Sequence, residues 1–203
     1  MLDLAKADLR HGRRRAAARR LLALCDDPAN AAEAASLLTG LAEPPHGAAL
    51  AERLRFGPPE TWAGWHPGHG RVAVKLGAVV APAAFRHPGV APPLAWGAGW
   101  AVHAWIAGKT LAAAPPADPA RVLAEVAAAV AALHCAGLAH GDLTPANVVV
   151  QPGGGAVLID WGEETAGTPG WRPQGPATPA QRDSFGLDRL RDHLGLPPRD
   201  VML

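Results

Sequence analysis

The sequence predicts an α+β chain: a pair of helices, then a five-stranded antiparallel sheet, then a short helical part. Three observations carry this. The first 24 residues are rich in Ala, Arg and Leu and hold no proline. Residues 50–106 break into short extended runs separated by Gly and Pro. After Asp118, apolar side chains recur at helical spacing. The hydrophobic fraction of 49% supports a sizeable core, although much of it is alanine.

Residues 3–24 read as one helix. Asp27-Pro28 reads as an N-cap with proline at the first helical position, opening a second helix through Leu38 that Gly40 and Pro44-Pro45 stop. These make a helical hairpin, residues 1–45, serving as a docking element or as a cap on the domain at 46–203. Strands are expected at 53–56, 61–65, 72–76, 90–94 and 100–105. Asp118-Pro119 repeats the cap-plus-proline signal and opens a helix with Val122, Val126, Ala129, Val130 and Leu133 on one face, ended by Gly137. Val148–Val150 and Val157–Ile159 form a hairpin about Pro152-Gly153-Gly154-Gly155. A last helix runs from 179 to 193.

Bulk charge names no partner, since 19 Lys and Arg against 18 Asp and Glu leave +1. Cys25 and Cys135 have no paired spacing, which points to a reduced, cytoplasmic chain without structural zinc. No run of 18 apolar residues is present and no secretory leader is read at the N-terminus, so membrane insertion is not expected. The distribution of charge says more. Residues 61–117 carry Arg71, Lys75, Arg86 and Lys109 and no acid, whereas residues 118–203 carry 10 acids against 6 bases. Such halves suit phosphates on one side and metal on the other, although the dominance of Ala, Gly and Pro gives the same pattern. Arg10, Arg13, Arg14, Arg15, Arg19 and Arg20 could meet nucleic acid or an anionic membrane. Arg13, Arg14 and Arg15 fan over more than half a helix circumference, so a solvated face is the default.

The chemistry concentrates in His140-Gly141-Asp142-Leu143-Thr144-Pro145-Ala146-Asn147 and Asp160-Trp161-Gly162. The hairpin between them brings Asp160 back alongside Asn147. Two carboxylates and a carboxamide gathered in this way suit phosphoryl transfer: one carboxylate takes the proton of an attacking hydroxyl, and an oxygen pair holds the Mg2+ of a nucleotide.

A strand Val72-Ala73-Val74-Lys75, a long helix, His-Gly-Asp…Asn and then Asp-Trp-Gly follow the motif order of the protein-kinase-like superfamily, which residues 50–194 resemble. The resemblance implies a bilobal fold with an N-lobe at 46–106 and a C-lobe at 107–203. It implies Lys75 on the α- and β-phosphates of ATP, Asp142 as catalytic base, and Asn147 with Asp160 as ligands of Mg2+ or Mn2+. His87-Pro88-Gly89-Val90 resembles the turn before the fourth strand, and Trp105-Ile106-Ala107-Gly108 resembles the interlobe hinge. Gly167-Thr168-Pro169-Gly170-Trp171 is similar to a segment of bacterial Ser/Thr protein kinases whose threonine hydrogen-bonds near the catalytic aspartate. Asp183-Ser184-Phe185-Gly186-Leu187 resembles the helix start whose aspartate accepts catalytic-loop N–H groups. His134 and His140 are expected to pack and to support that loop.

The departures from the pattern are specific. Gly141 replaces the arginine that would read a phosphorylated activation loop, and Thr144 replaces a lysine near the γ-phosphate, as in the small KEOPS-associated kinase. The 11 residues between Lys75 and His87 are too few for a regulatory helix and hold no acid to pair with Lys75. No Gly-x-Gly-x-x-Gly precedes the lysine strand; Gly57-Pro58-Pro59-Glu60 stands there. Arg172-Pro173-Gln174-Gly175 lacks the Ala-Pro-Glu glutamate, and the late helix bearing its arginine partner is absent. The expected activity is a Ser/Thr protein kinase, with a nucleotide-binding pseudokinase scaffold as the alternative. A protein substrate or partner would dock on the N-terminal hairpin. A small-molecule kinase is disfavoured by the Gly167–Trp171 segment.

Overall fold

The computed structural model describes residues 1–55, 59–77, 85–161 and 167–198; Gly57, Pro58, Pro82 and Gly162 therefore lie outside the described residues. The chain forms two compact units, Met1–Pro82 with Pro93–Trp105, and Ala83–Pro92 with Ile106–Leu203.

The first unit opens with α1 (Leu2–Arg10), α2 (Arg14–Leu24) and α3 (Ala31–Thr39), so the single helix expected over 3–24 is in fact two. Gly12 makes the break. It takes φ +72°, its N–H reaches the Leu9 carbonyl, and the Arg13 N–H returns 2.9 Å to the Asp8 carbonyl. That left-handed helix stop suits glycine because a Cβ there crowds the backbone. Asp27 heads a turn, accepting from the Ala29 N–H and from Asn30 Nδ2, and α3 begins four residues later.

β1 (Ala49–Arg55), β2 (Glu60–His66), β3 (Gly70–Leu76), β4 (Pro93–Gly97) and β5 (Trp100–Ala104) make an antiparallel sheet in the order β1-β2-β3-β5-β4. β1 starts four residues earlier than expected because Ala49 and Ala51, which look like nothing in particular in an alanine-rich sequence, bury against α2 and α3. They share one apolar cluster with Ala17, Leu21, Leu22 and Leu38. A second cluster gathers Leu50, Trp62, Val72, Val74 and Val102. The N-terminal helices thus share a core with the strands.

Most of the arginine run is spent inside this unit. Arg13 and Arg20 both bind the carboxylate of Asp8, at 2.7 and 2.9 Å. Arg14 donates to the Leu41 carbonyl and stands 3.9 Å from Glu43, and Arg15 lies 4.6 Å over the Trp62 ring. Glu33 pairs with Lys6 at 2.6 Å.

In the second unit, Val90 does not open a strand of the large sheet as expected. Leu158 donates to the Gly89 carbonyl and its own carbonyl accepts from Ala91, so residues 89–91 run beside the strand that ends at Leu158. Pro92 and Pro93 carry no N–H with which to continue a ladder, and β4 begins at Pro93. β6 (Lys109–Thr110), unforeseen at two residues, pairs with β7 (Val148–Val150), which pairs with β8 (Ala156–Leu158). α4 (Pro119–Cys135) is capped by Asp118, whose carboxylate accepts from the Arg121 N–H at 3.0 Å. α5 (Pro179–His193) starts with a reciprocal Thr178–Gln181 capping box. Val122, Val126, Leu133, Leu143, Leu158 and Leu190 form the core of this unit. Among the described residues no helix is long and apolar enough to cross a membrane.

Candidate functional site

The second unit brings Asp142, Asn147, Asp160 and Thr168 into one neighbourhood. The loop carrying Asp142 begins at His140, the next residue is Gly141 at φ +84°, and a single 3-10 turn at Pro145–Asn147 leads into β7. Positive φ at Gly141 turns the chain sharply between His140 and Asp142, a conformation that costs a side-chain-bearing residue about 1–2 kcal/mol. The Asn147 amide then folds back, its Nδ2 donating to the Asp142 carbonyl at 2.8 Å. A carbonyl only accepts, so the NH2 must face it and Oδ1 is turned away, available as a ligand.

β7 and β8 bring Asp160 to Asn147. Val148 stands opposite Leu158, and the Ile159 N–H donates to the Asn147 carbonyl at 3.0 Å. Asp160 has φ +58° and is the one non-glycine at positive φ among the described residues. Aspartate tolerates this region better than most side chains, yet it still stores strain of about 1–3 kcal/mol, a cost that concentrates at functional positions.

Thr168 grips the Asp142 carboxylate at both oxygens. Its N–H donates to Oδ1 at 2.7 Å and its Oγ donates to Oδ2 at 2.9 Å. Asp142 is therefore aimed by a residue 26 positions away. It is half-buried, whereas Thr168 is exposed.

Histidine and aspartate hold the loop from behind. His140 is buried, its Nε2 donates to the Ile159 carbonyl at 2.9 Å and its Nδ1 accepts from the Asp142 N–H at 3.3 Å. These two bonds require the neutral Nε2–H tautomer. Burial pushes the imidazole pKa below its ordinary value, outweighing the nearby carboxylates of Asp183, Asp160 and Asp142, so the neutral form persists. The ring thereby ties the segment before Asp142 to the strand end before Asp160. Asp183, fully buried on α5, accepts from the His140 and Gly141 N–H groups at 2.8 and 2.7 Å, and from His134 Nε2 at 2.9 Å. Gly186, one turn along α5, permits the approach: a Cβ there would lie 2.8 Å from both the carbonyl oxygen and the Cβ of Leu143.

Lys75 belongs to the first unit. It stands on β3 opposite Thr61 and Ala101 and is 2% exposed. Thr144, also expected near the reacting phosphate, is buried at 5% exposure. The His87 turn forms, with Nδ1 accepting from the Gly89 N–H, and Trp161 fixes the adjoining segment through Nε1 to the Ala91 carbonyl at 2.8 Å. A separate cleft of about 560 Å3, bordered by Lys109, Pro115, Arg121, Val150 and Pro152, is lined by none of Lys75, Asp142, Asn147, Asp160 and Thr168.

Sequence reasoning foresaw Asp183 and the loop it holds but missed the reach of His134, 49 residues from Asp183, and the reason for Gly186. The i, i+3 spacing of Asp183 and Gly186 was the available signal for the second. Chemically, the neighbourhood offers a carboxylate held in a fixed aim and two further oxygen donors at the end of one hairpin. No family model matches the chain, and no curated protein matches it.

Proposed function

We propose that the chain is an ATP-dependent Ser/Thr protein kinase, transferring the γ-phosphate of Mg-ATP to a protein hydroxyl. The observation that carries this reading is the two-point grip of Thr168 on Asp142. A base whose two oxygens are both aimed can accept a hydroxyl proton without reorganising. In this scheme Asp142 takes the proton of the substrate hydroxyl, and Thr168 orients Asp142 and borders the hydroxyl's approach. Lys75 offsets phosphate charge.

Asn147 Oδ1 and the Asp160 carboxylate fit as holders of Mg2+ or Mn2+. Among the described residues no three His, Cys, Asp or Glu gather to ligate a metal by themselves. Two oxygen donors are a suitable set for an ion that keeps waters and takes its remaining ligands from phosphates. When bound, the ion neutralises charge building on the transferred group.

Thr144 favours the second reading, a catalytically weak or inactive nucleotide-binding pseudokinase. Its hydroxyl offers the reacting phosphate no cation in the place of the usual lysine. Transfer from γ-labelled Mg-ATP, by wild type beside Asp142→Ala and Asp160→Ala, tests the proposal. Transfer by wild type and at least hundredfold less by both variants is expected. Equal transfer by wild type and Asp142→Ala overturns it. Thermal stabilisation by Mg-ATP with no transfer supports the second reading.

A further inference from the structure

We propose that Arg172 and Arg182 select the acceptor segment, drawing to Asp142 a hydroxyl flanked by a carboxylate or a phosphate; this substrate class rests on the phosphotransfer reading. Residues 167–182 hold these two arginines and no acid, although residues 118–203 as a whole carry 10 acids against 6 bases. The two are well separated in sequence, yet both stems run against Gly167. A Cβ built on Gly167 would stand 3.4 Å from Arg182 Cδ and 3.5 Å from Arg172 Cδ. The guanidinium group begins one bond beyond Cδ, so both cations start beside Gly167. The next residue is Thr168, whose N–H and Oγ hold the two oxygens of Asp142. The paired charges are therefore set beside the carboxylate that would receive the hydroxyl proton.

Two features of Arg182 argue against a mere filler. It stands near the start of α5, where a cation opposes the helix dipole. Its Nε is a buried donor that meets no acceptor among the described residues, and such orphans are costly. The acid next to it, Asp183, is taken up by the His140 and Gly141 N–H groups and by His134. Gly167, at φ +74°, leaves the space of a side chain to the two stems. Arg182 stays partly open to solvent and Arg172 is exposed, so an incoming segment can reach them. A guanidinium offers paired N–H donors that match a carboxylate or a phosphate at two points. Extended chain covers about 10 Å in three residues, so the anion is expected within about three residues of the acceptor.

The test measures kcat/KM of the full chain with Mg-ATP on serine peptides that differ only in the residues flanking the acceptor: Asp, phosphoserine, Ala or Lys. Wild type is expected to use the Asp peptide roughly tenfold better than the Ala peptide, since exposed charge pairs contribute up to about fivefold each. The Lys peptide should be the poorest. Phosphoserine, with nearly two charges, should exceed Asp if the arginines read a phosphate, and match it if they read a carboxylate. Either order upholds the site and names its ligand. Arg182→Glu, which suits the start of a helix, should turn the preference toward Lys, and Arg182→Gln should flatten it. An Asp-to-Ala ratio within about twofold in wild type, or one that survives Arg172→Gln combined with Arg182→Gln, overturns the proposal. If no peptide accepts phosphate, the phosphotransfer reading falls by itself. Fluorescence anisotropy with labelled Asp and Lys peptides then decides the arginines. Tighter binding of the Asp peptide, lost in Arg182→Glu, upholds the anion site, and equal binding overturns it.

Discussion

Asp8, at the corner between α1 and α2, and Asp183, on α5 in the second unit, are both buried carboxylates, 7% and 0% exposed on their side chains. Asp8 is answered by two guanidinium groups, Arg13 and Arg20. Asp183 is answered by two backbone N–H groups and one imidazole. The difference separates two uses of a buried charge. An ion pair joins side chains, and such pairs can often be replaced by apolar contacts at little cost. A carboxylate bonded to main-chain N–H groups fixes the path of the backbone, and those donors cannot be mutated away. Removing Asp183 leaves two of them orphaned next to Asp142.

The largest expected effect tests that contrast directly. Asp183→Ala should cost about 3–5 kcal/mol in urea unfolding, from two orphaned N–H groups and a lost charge-assisted bond. Phosphoryl transfer should be lost with it. Asp8→Asn should lower the unfolding midpoint but leave the transfer rate of the folded protein unchanged. Equal loss of transfer in the two variants would erase the distinction between them.

Gly186→Ala comes next. The new Cβ would meet backbone at 2.8 Å, so α5 must retreat from the loop at a cost of about 1–3 kcal/mol, with a matching fall in kcat. Gly12→Ala meets nothing within 4 Å, and its penalty is the positive φ alone, about 1 kcal/mol and without effect on kcat. A larger effect of Gly12→Ala on kcat than of Gly186→Ala would show that the corner matters to the site.

pH separates the same two regions. The bonds from Arg20 and Arg13 hold the Asp8 carboxyl below its ordinary value. A group whose folded pKa is depressed binds more protons when unfolded, so its stabilisation is present above the unfolded value, about 3.9, and is lost as pH falls below it. His140 is also depressed, by burial, so its neutral form supports the fold above the unfolded value of about 6.5 and the support fades as pH falls through the mildly acidic range. Melting curves from pH 7.5 to 3 should show the His140 loss first and the Asp8 loss last. NMR should find the His140 ring taking up its proton only below the ordinary histidine value. A ring that titrates at or above that value would break the tautomer argument for the loop.

The second unit was more legible in the sequence than the first, for a physical reason. Asp142, Asn147 and Asp160 lie on a short loop and a tight hairpin, where spacing nearly dictates placement. The bounds of α5 were legible because Pro179 marks its start, and Asp183 was legible through the resemblance of its segment to a kinase helix start. In the first unit, packing between alanines decides the outcome. Ala49 and Ala51 carry no strand signal until α2 lies against them, and Gly12 was overridden by the helical composition around it. The switch of residues 89–91 to β8 depends on a partner about 70 residues away, which no local pattern encodes. Contacts such as His134 with Asp183 are invisible to periodicity for the same reason.

The smallest expected effect bears on the arginines. Arg15 lies over Trp62, and a cation–π contact at an exposed site contributes about 0.5–1 kcal/mol, so Arg15→Ala should lose that much in urea unfolding. Arg19 is exposed and has no ion pair among the described residues, so Arg19→Ala should stay within about 0.5 kcal/mol of wild type. If the run serves the fold, neither change alters retention on a phosphate-rich polymer such as duplex DNA at physiological salt. Retention that falls with Arg19→Ala would mean that the exposed arginines face an anionic partner while their neighbours hold the corner. The contrast drawn between Asp8 and Asp183 would then run within the first unit as well, between guanidinium groups turned onto Asp8 and Trp62 and those turned outward.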